Sequence, residues 1–461
     1  MAELRVDQRD LQGNILAGYN YDHALFMVLR VTSPEIGREW LSELVTGGRI
    51  TTAVPFGDAK PATTTNVAFT HDGLRALGLS EEALRSFPAE FRHGMAARAQ
   101  LLGDRGPNAP ARWETGLRPG DPHVLVTFNA RSADALAERR AEVERQAPGG
   151  DAGLGIVHAQ AASVIRRGDA IAVREHFGFA DGLAQPSIAG FAADGRRRVG
   201  PKKRRGQGTP RPNGGWKRLA PGEFVLGYPD EAGDLADRPM EPLRRSGSYM
   251  VLRKLRQNVA LFNRFLRDAA DGDDELAELL AAKIVGRWRD GTPIATSPER
   301  PDELAGSEPT NDFRYRGDPH GLRCPIGAHV RRANPRDSLG FRGRLTSRHR
   351  IIRRGMPYGR EAANSFVEDG LERGLMFVCY QADIERQFEV VQGRWLADGD
   401  AFKLGEDADF LLGTEDPTAK MIIPGSPPRI LSPGRSFVVN RGGGYFFAPG
   451  IAALRAIAEG V

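Results

Sequence analysis

Of the chain's 461 residues, 40% are hydrophobic, which is enough for two domains with sizeable cores at the usual ~100–200 residues each. With only two cysteines, Cys324 and Cys379, and a net charge of +5, the composition excludes a disulfide-built fold and points to a reducing, cytoplasmic home. The first ten residues mix Glu3, Asp7 and Asp10 with Arg5 and Arg9 rather than leading into an apolar signal, and no early apolar run reaches the ~20 residues of a membrane span.

In chain order, Ala24 to Thr32 reads as a buried strand. Ser33-Pro34 then caps and opens a helix with Ile36, Trp40, Leu41, Leu44 and Val45 on one face. Asn66 to Thr70 and His123 to Asn129 are further strands, separated by a long, partly helical insertion from Leu74 to Asp121, and Ala133 to Gln146 is a helix before the chain runs on toward Phe177. Strand, helix, two strands, helix and strand make a ferredoxin-like βαββαβ unit. The pattern then recurs, because Phe26-Met-Val-Leu-Arg30 is echoed by Tyr249-Met-Val-Leu-Arg253, and a helical stretch from Val259 to Ala270 follows the second copy. An echo after a whole domain's length predicts duplication. In the second half Leu375 to Gln381 and Ser436 to Asn440 are strands and Asp383 to Gln392 a helix, while Gly442-Gly443-Gly444 reads as a strand-end turn and Pro293 to Pro325 as a long connection. The fold class is therefore α+β, with two duplicated ferredoxin-like domains at 1–195 and 216–461 around a linker at 196–215.

The stretch from Arg196 to Arg218, which contains that linker and the three residues after it, explains the basic balance. Ten cations and no acid fall between Arg196 and Arg218, and without them 54 cations face 59 acids. Its glycines and prolines predict a solvated loop, and with Trp216 as its one aromatic side chain it lacks the stacking platform of a nucleic-acid site.

Three separated segments carry the chemistry: Phe177-Gly-Phe-Ala-Asp181-Gly182, Gly327-Ala-His329-Val-Arg331-Arg-Ala-Asn334-Pro-Arg336, and Arg353-Arg-Gly-Met-Pro-Tyr358-Gly359. They bring an acid, a metal-ligand type and a cation from far apart, as a fold does around a large cofactor. In order and spacing these segments resemble the signatures of the dye-decolorising peroxidases, and the likeness runs from Asp10-Leu-Gln-Gly-Asn-Ile-Leu16 to Gly443-Gly-Tyr-Phe-Phe-Ala-Pro-Gly450.

The resemblance implies haem b (iron protoporphyrin IX), held mainly by the second domain, with the end of the first facing it. It implies His329 as the iron ligand, Asp181 as the proton shuttle and Arg353 as the fixed cation, with Arg354 in its place if the turn register differs. Asp383 is the candidate carboxylate behind His329, or else a helix cap. Arg331 and Arg336 are candidates for the anionic propionates, and Phe377 and Leu375 for the cavity wall. Otherwise Asp181 is an Asp in a tight turn. The substrates implied are hydrogen peroxide and an aromatic or dye-like electron donor, with Tyr358, Tyr380 or Trp395 as relays for bulky donors. No membrane partner is expected, nucleic acid is disfavoured, and a homo-oligomer is compatible with the chain. A haem-handling protein, storing the cofactor or releasing its iron, is the alternative reading of the same ligand and pocket.

Overall fold

The computed structural model describes residues 5–57, 59–147, 149, 152–166, 173–191, 207–211, 215–236, 239–301, 311–412 and 419–460. The basic segment expected as a linker lies mostly outside them.

The first half builds β1 (His23–Val31), α1 (Pro34–Thr46), β2 (Thr63–Phe69), β3 (Val124–Ala130), α2 (Ala133–Gln146) and β4 (Leu154–Ser163). Ser33 caps α1 by accepting from the Ile36 N–H, with Pro34 at the first helical position. Trp40, Leu41, Leu44 and Val45 turn inward as expected, but Ile36 sits 40% exposed. The second half repeats the scheme with β5 (Ser248–Gln257), α3 (Val259–Ala269), α4 (Asp274–Val285), α5 (His329–Ala333), β6 (Ile352–Arg353), β7 (Met356–Tyr358), β8 (Gly374–Gln381), α6 (Ile384–Leu396) and β9 (Val438–Ala448). Helix α6 is wound in the wider π form and ends with the Ala397 N–H donating to the Gln392 carbonyl.

All these strands share one nine-stranded sheet of order β4-β1-β3-β2-β9-β5-β8-β6, with β7 also paired to β8. Each half therefore has the ferredoxin-like order, its last strand beside its first, and the two echoed pentapeptides lie on the equivalent strands β1 and β5. The halves meet edge to edge where Phe69 of β2 pairs with Phe447 of β9. The three glycines expected as a turn instead lie inside β9, where the register against β5 shifts between Asn440 and Gly443, a bulge.

Strand periodicity divides the core. Leu25, Met27 and Leu29 pack under the helices with Trp40 and Leu41, whereas Ala24, Phe26 and Val28 pack on the other face with Phe224, Met250 and Phe446. In the second half Arg253, Leu255 and Gln257 of β5 stand beside Phe377 and Leu375 of β8, where Arg253 pairs with Phe377 and Leu255 with Leu375. That row floors the cavity described below.

Among the ion pairs that tie the insertion to the second half, one has a buried carboxylate and a part-exposed guanidinium. The Arg98 guanidinium forks onto Glu389 of α6 at 2.9 and 2.6 Å, and the Tyr445 hydroxyl of β9 donates to the same carboxylate at 2.9 Å. Glu389→Ala is expected to lower the free energy of unfolding by about 3 kcal/mol, because it strands a paired cation and a buried phenol. A guanidinium titration measures it, with a change below about 0.5 kcal/mol refuting the role.

Candidate functional site

A cavity of about 270 Å³ opens over the β5–β8 floor. Leu255, Val285, Leu375, Phe377, Phe388, Val391 and Leu411 make its walls largely apolar, and Asp181, His329 and Arg353 all line it. The three sequence segments thus converge.

Asp181 is delivered by the tight loop 173–182 from the end of the first half. Gly178 takes φ +95°, and a Cβ there would stand 3.1 Å from the Arg289 guanidinium, while Gly182 takes φ +77° immediately after the carboxylate. The loop is fixed from inside by Glu175, whose carboxylate accepts from the Phe177 and Phe179 N–H groups at 2.8 Å and from Gln257. Asp181 Oδ1 accepts from Arg353 Nη1 at 2.9 Å and from the Gly182 N–H at 2.6 Å. Both bonds fall on Oδ1, and among the described residues no hydrogen bond falls on Oδ2. Burial pushes this carboxyl up, but the Arg353 guanidinium and the Gly182 N–H outweigh it and hold it below the usual carboxylate value.

Arg353 lies on β6, where Gln185 braces its backbone through both its N–H and its carbonyl, at 3.1 and 3.0 Å. Arg354 points elsewhere, donating to the carbonyls of Asn14 and Leu16. Of these two neighbours, it is Arg353 whose guanidinium enters the cavity.

His329 opens the short helix α5, and its Nδ1 lies 3.1 Å from Asp409 Oδ2. Asp409 is fully buried and also accepts the Leu411 and Leu412 N–H groups on Oδ1, at 3.1 and 3.0 Å. A proton on Nδ1 donates to this carboxylate, which fixes the tautomer and leaves the Nε2 lone pair available. Burial disfavours the imidazolium, yet the Asp409 charge more than compensates and raises the His329 pKa.

The carboxylate behind His329 is thus Asp409 and not Asp383, which caps α6 by accepting from the Arg386 N–H and Nε at 2.8 and 3.2 Å. Arg331 and Arg336 also differ from expectation, since neither lines the cavity. Arg331 is drawn to the carbonyls of Cys324 and Asp318 at 2.6 and 2.8 Å and stacks on Tyr315. Arg336 is drawn to Asn311 and the Phe313 carbonyl and stacks on Phe313. Phe377 and Leu375 do line it. Tyr358, Tyr380 and Trp395 are all buried, so none offers a surface for a bulky donor.

The cavity's cations include Arg350, missed at the sequence level among its arginine neighbours. Its Nη2 donates to the Ala184 carbonyl at 3.1 Å, and burial with the guanidiniums of Arg336 and Arg353 pushes its pKa down to about 9. Such a site favours an added anion. A largely apolar cavity, one imidazole nitrogen with a free lone pair and a cation awaiting negative charge fit haem with its propionates. Among the described residues no three His, Cys, Asp or Glu side chains cluster as metal ligands, which suits a metal that brings most of its ligands with it.

The DyP dimeric alpha+beta barrel domain matches residues 10–162, and the C-terminal domain of Dyp-type peroxidases matches residues 240–406. The dye-decolorizing peroxidase msp1 of Mycetinis scorodonius is 31% identical over 97% of this chain and 87% of its own length. The crystal structure of a fungal DyP-type peroxidase from Auricularia auricula-judae superposes with a TM-score of 0.80 at 26% identity, covering 99% of this chain and 100% of that one. A dye-decolorizing peroxidase in complex with 2,6-dimethoxyphenol superposes with a TM-score of 0.79 at 28% identity, over 98% and 100% of the two chains.

Proposed function

From the chain's membership of the dye-decolorising peroxidase family, which its full-length relatives establish, we propose that His329 Nε2 holds haem b and that Asp181 and Arg353 act together on hydrogen peroxide. The enzyme is a haem-dependent peroxidase that oxidises dyes and phenols. Bound haem supplies the electrons that reduce the peroxide and recovers them one at a time from the organic donor.

The chain's own part is to place charge and move a proton. Asp181 Oδ2 takes the proton from one peroxide oxygen and returns it to the other, which leaves as water. Arg353, already fixed by its bond to Asp181 Oδ1 and by Gln185, holds a positive charge where negative charge develops, and so needs no reorganisation during the step. Asp409 keeps Nδ1 protonated and His329 oriented. Arg350 binds a propionate, and the apolar walls exclude water. Two buried free cysteines support a cytoplasmic location, and a phenolic donor is supported by the 2,6-dimethoxyphenol complex of the relative.

The observation that carries this reading is the Asp181–Arg353 pair, with Oδ2 unengaged among the described residues, in the cavity that His329 lines. Its test is the pH dependence of the peroxide reaction followed by stopped flow. Since Asp181 must be ionised to accept a proton and its pKa is depressed, the rate constant should hold steady into acid. It should fall only below the ordinary carboxylate value of ~3.9. Arg353→Leu leaves burial to dominate, so the carboxyl pKa rises and the acid limb moves to higher pH. A limb that stays put on loss of Arg353 would separate the two residues.

A further inference from the structure

The loop that carries Asp181 belongs to the first half of the chain, yet much of what holds it comes from the second. Just after α4, the Arg289 carbonyl accepts from the Ala180 N–H at 2.9 Å and from Arg174 Nη1 at 2.7 Å, and Arg174 Nη1 also reaches the Gly178 carbonyl at 2.6 Å. The Arg289 side chain adds a second hold. Its Nη1 donates to the Phe177 carbonyl, its guanidinium lies 5.0 Å from the centre of the Phe179 ring, and its Nε lies 2.9 Å from both carboxylate oxygens of Glu278 on α4.

These bonds differ in weight. The Glu278 side chain is 50% exposed, so the ion pair itself contributes little and serves chiefly to aim the guanidinium. The charge-assisted bond to the Phe177 carbonyl, on the part-buried side of Arg289, is the stronger one. Arg353 is held separately, on β6, so its 2.9 Å contact with Asp181 depends on where the loop is kept. Arg289 does not line the cavity, and acts on it only through the loop.

We propose that Arg289 is a positioning residue for the peroxide step: its side chain latches the first-half loop onto α4 and so keeps Asp181 within hydrogen-bond reach of Arg353. Removing that side chain leaves the residue 289 carbonyl and the Glu175 carboxylate in place, so the loop loosens without unfolding. The inference rests on the roles proposed above for Asp181 and Arg353.

The test uses the haem-loaded full chain in stopped-flow mixing with hydrogen peroxide. Arg289→Ala should slow that reaction about tenfold, since a misplacement of about 1 Å can cost ~10²-fold. Haem content and the reduction of the oxidised enzyme by 2,6-dimethoxyphenol should stay as in the unmodified protein, whereas a general loss of structure would lower both. The acid limb of the peroxide reaction should move to higher pH, because a carboxyl less often beside Arg353 is left to burial, with His329 and Glu175 the other charged side chains facing it. In an Asp181→Asn background Arg289→Ala should cost nothing further, because the group it positions is already gone. An unchanged peroxide rate in Arg289→Ala overturns the proposal, and so does a tenfold loss that persists in the Asp181→Asn background. If Arg289→Ala does not fold, Glu278→Gln decides: a loss of about threefold is expected, the worth of an exposed ion pair, and no loss overturns the latch. An Asp181→Asn protein as fast as the unmodified enzyme is a different failure, that of the reading on which the inference rests.

Discussion

His329→Ala is expected to yield a folded protein that loses its haem during purification. His329 Nε2 is the lone pair that a buried carboxylate, Asp409, orients from the far side of the ring. Loss of such a supporting partner alone costs metal affinity about 10–100-fold, so loss of the ligand itself should weaken binding by at least about 100-fold. The Soret absorbance relative to that at 280 nm, and a calorimetric titration of haem into the apoprotein, measure the effect. Asp409→Asn should fall between the variant and the unmodified protein. Wild-type haem content and Soret position in His329→Ala would transfer the ligand role elsewhere. His349 would be first in line, since it is the other imidazole that lines the cavity.

The second large effect is expected on the distal chemistry. Asp181→Asn keeps the size of the side chain and removes the base, and Arg353→Leu removes the charge. Each should slow the reaction with hydrogen peroxide by about 10²–10³ while haem stays bound. Their effects should not add, because Arg353 also holds Asp181 in place at 2.9 Å. Arg354→Leu should slow the step far less, its guanidinium being committed to the backbone of residues 14–16. Stopped-flow traces of the variants at matched haem content decide the matter: an Asp181→Asn protein as fast as the parent makes the residue a turn former and no more.

Much of the architecture was legible in the sequence because its signals are local. The Ser33-Pro34 cap, the alternation along β1 and the pentapeptide echo at β5 are each contained within a few residues, and together they fix the duplicated unit. The residues that converge on the cavity were legible for a different reason, through the resemblance carried by whole segments around Asp181, His329 and Arg353. What escaped were partners supplied by remote chain. Asp409 lies 80 positions from the imidazole it supports, and its one local sign is a buried acid beside Phe410-Leu411-Leu412. Arg331 and Arg336 were misread because adjacency to His329 suggested a shared task, whereas their guanidiniums are drawn to carbonyl oxygens between residues 311 and 324. A carbonyl belongs to every residue and leaves no trace in sequence. Asp383 had its local role, the helix cap, written in place.

The position of β9 bears on how the protein is made. This strand comes last in the chain but sits in the interior of the sheet, between β2 and β5. A ribosome that has finished the first half has therefore released a subdomain whose β2 edge is unpaired, and it stays so while some 270 further residues, from 164 to 437, are synthesised. Exposed strand edges are templates for association with other chains. Expression yield should accordingly depend on holdase chaperones and on translation speed, and fragments ending before residue 438 should aggregate rather than accumulate as a soluble half.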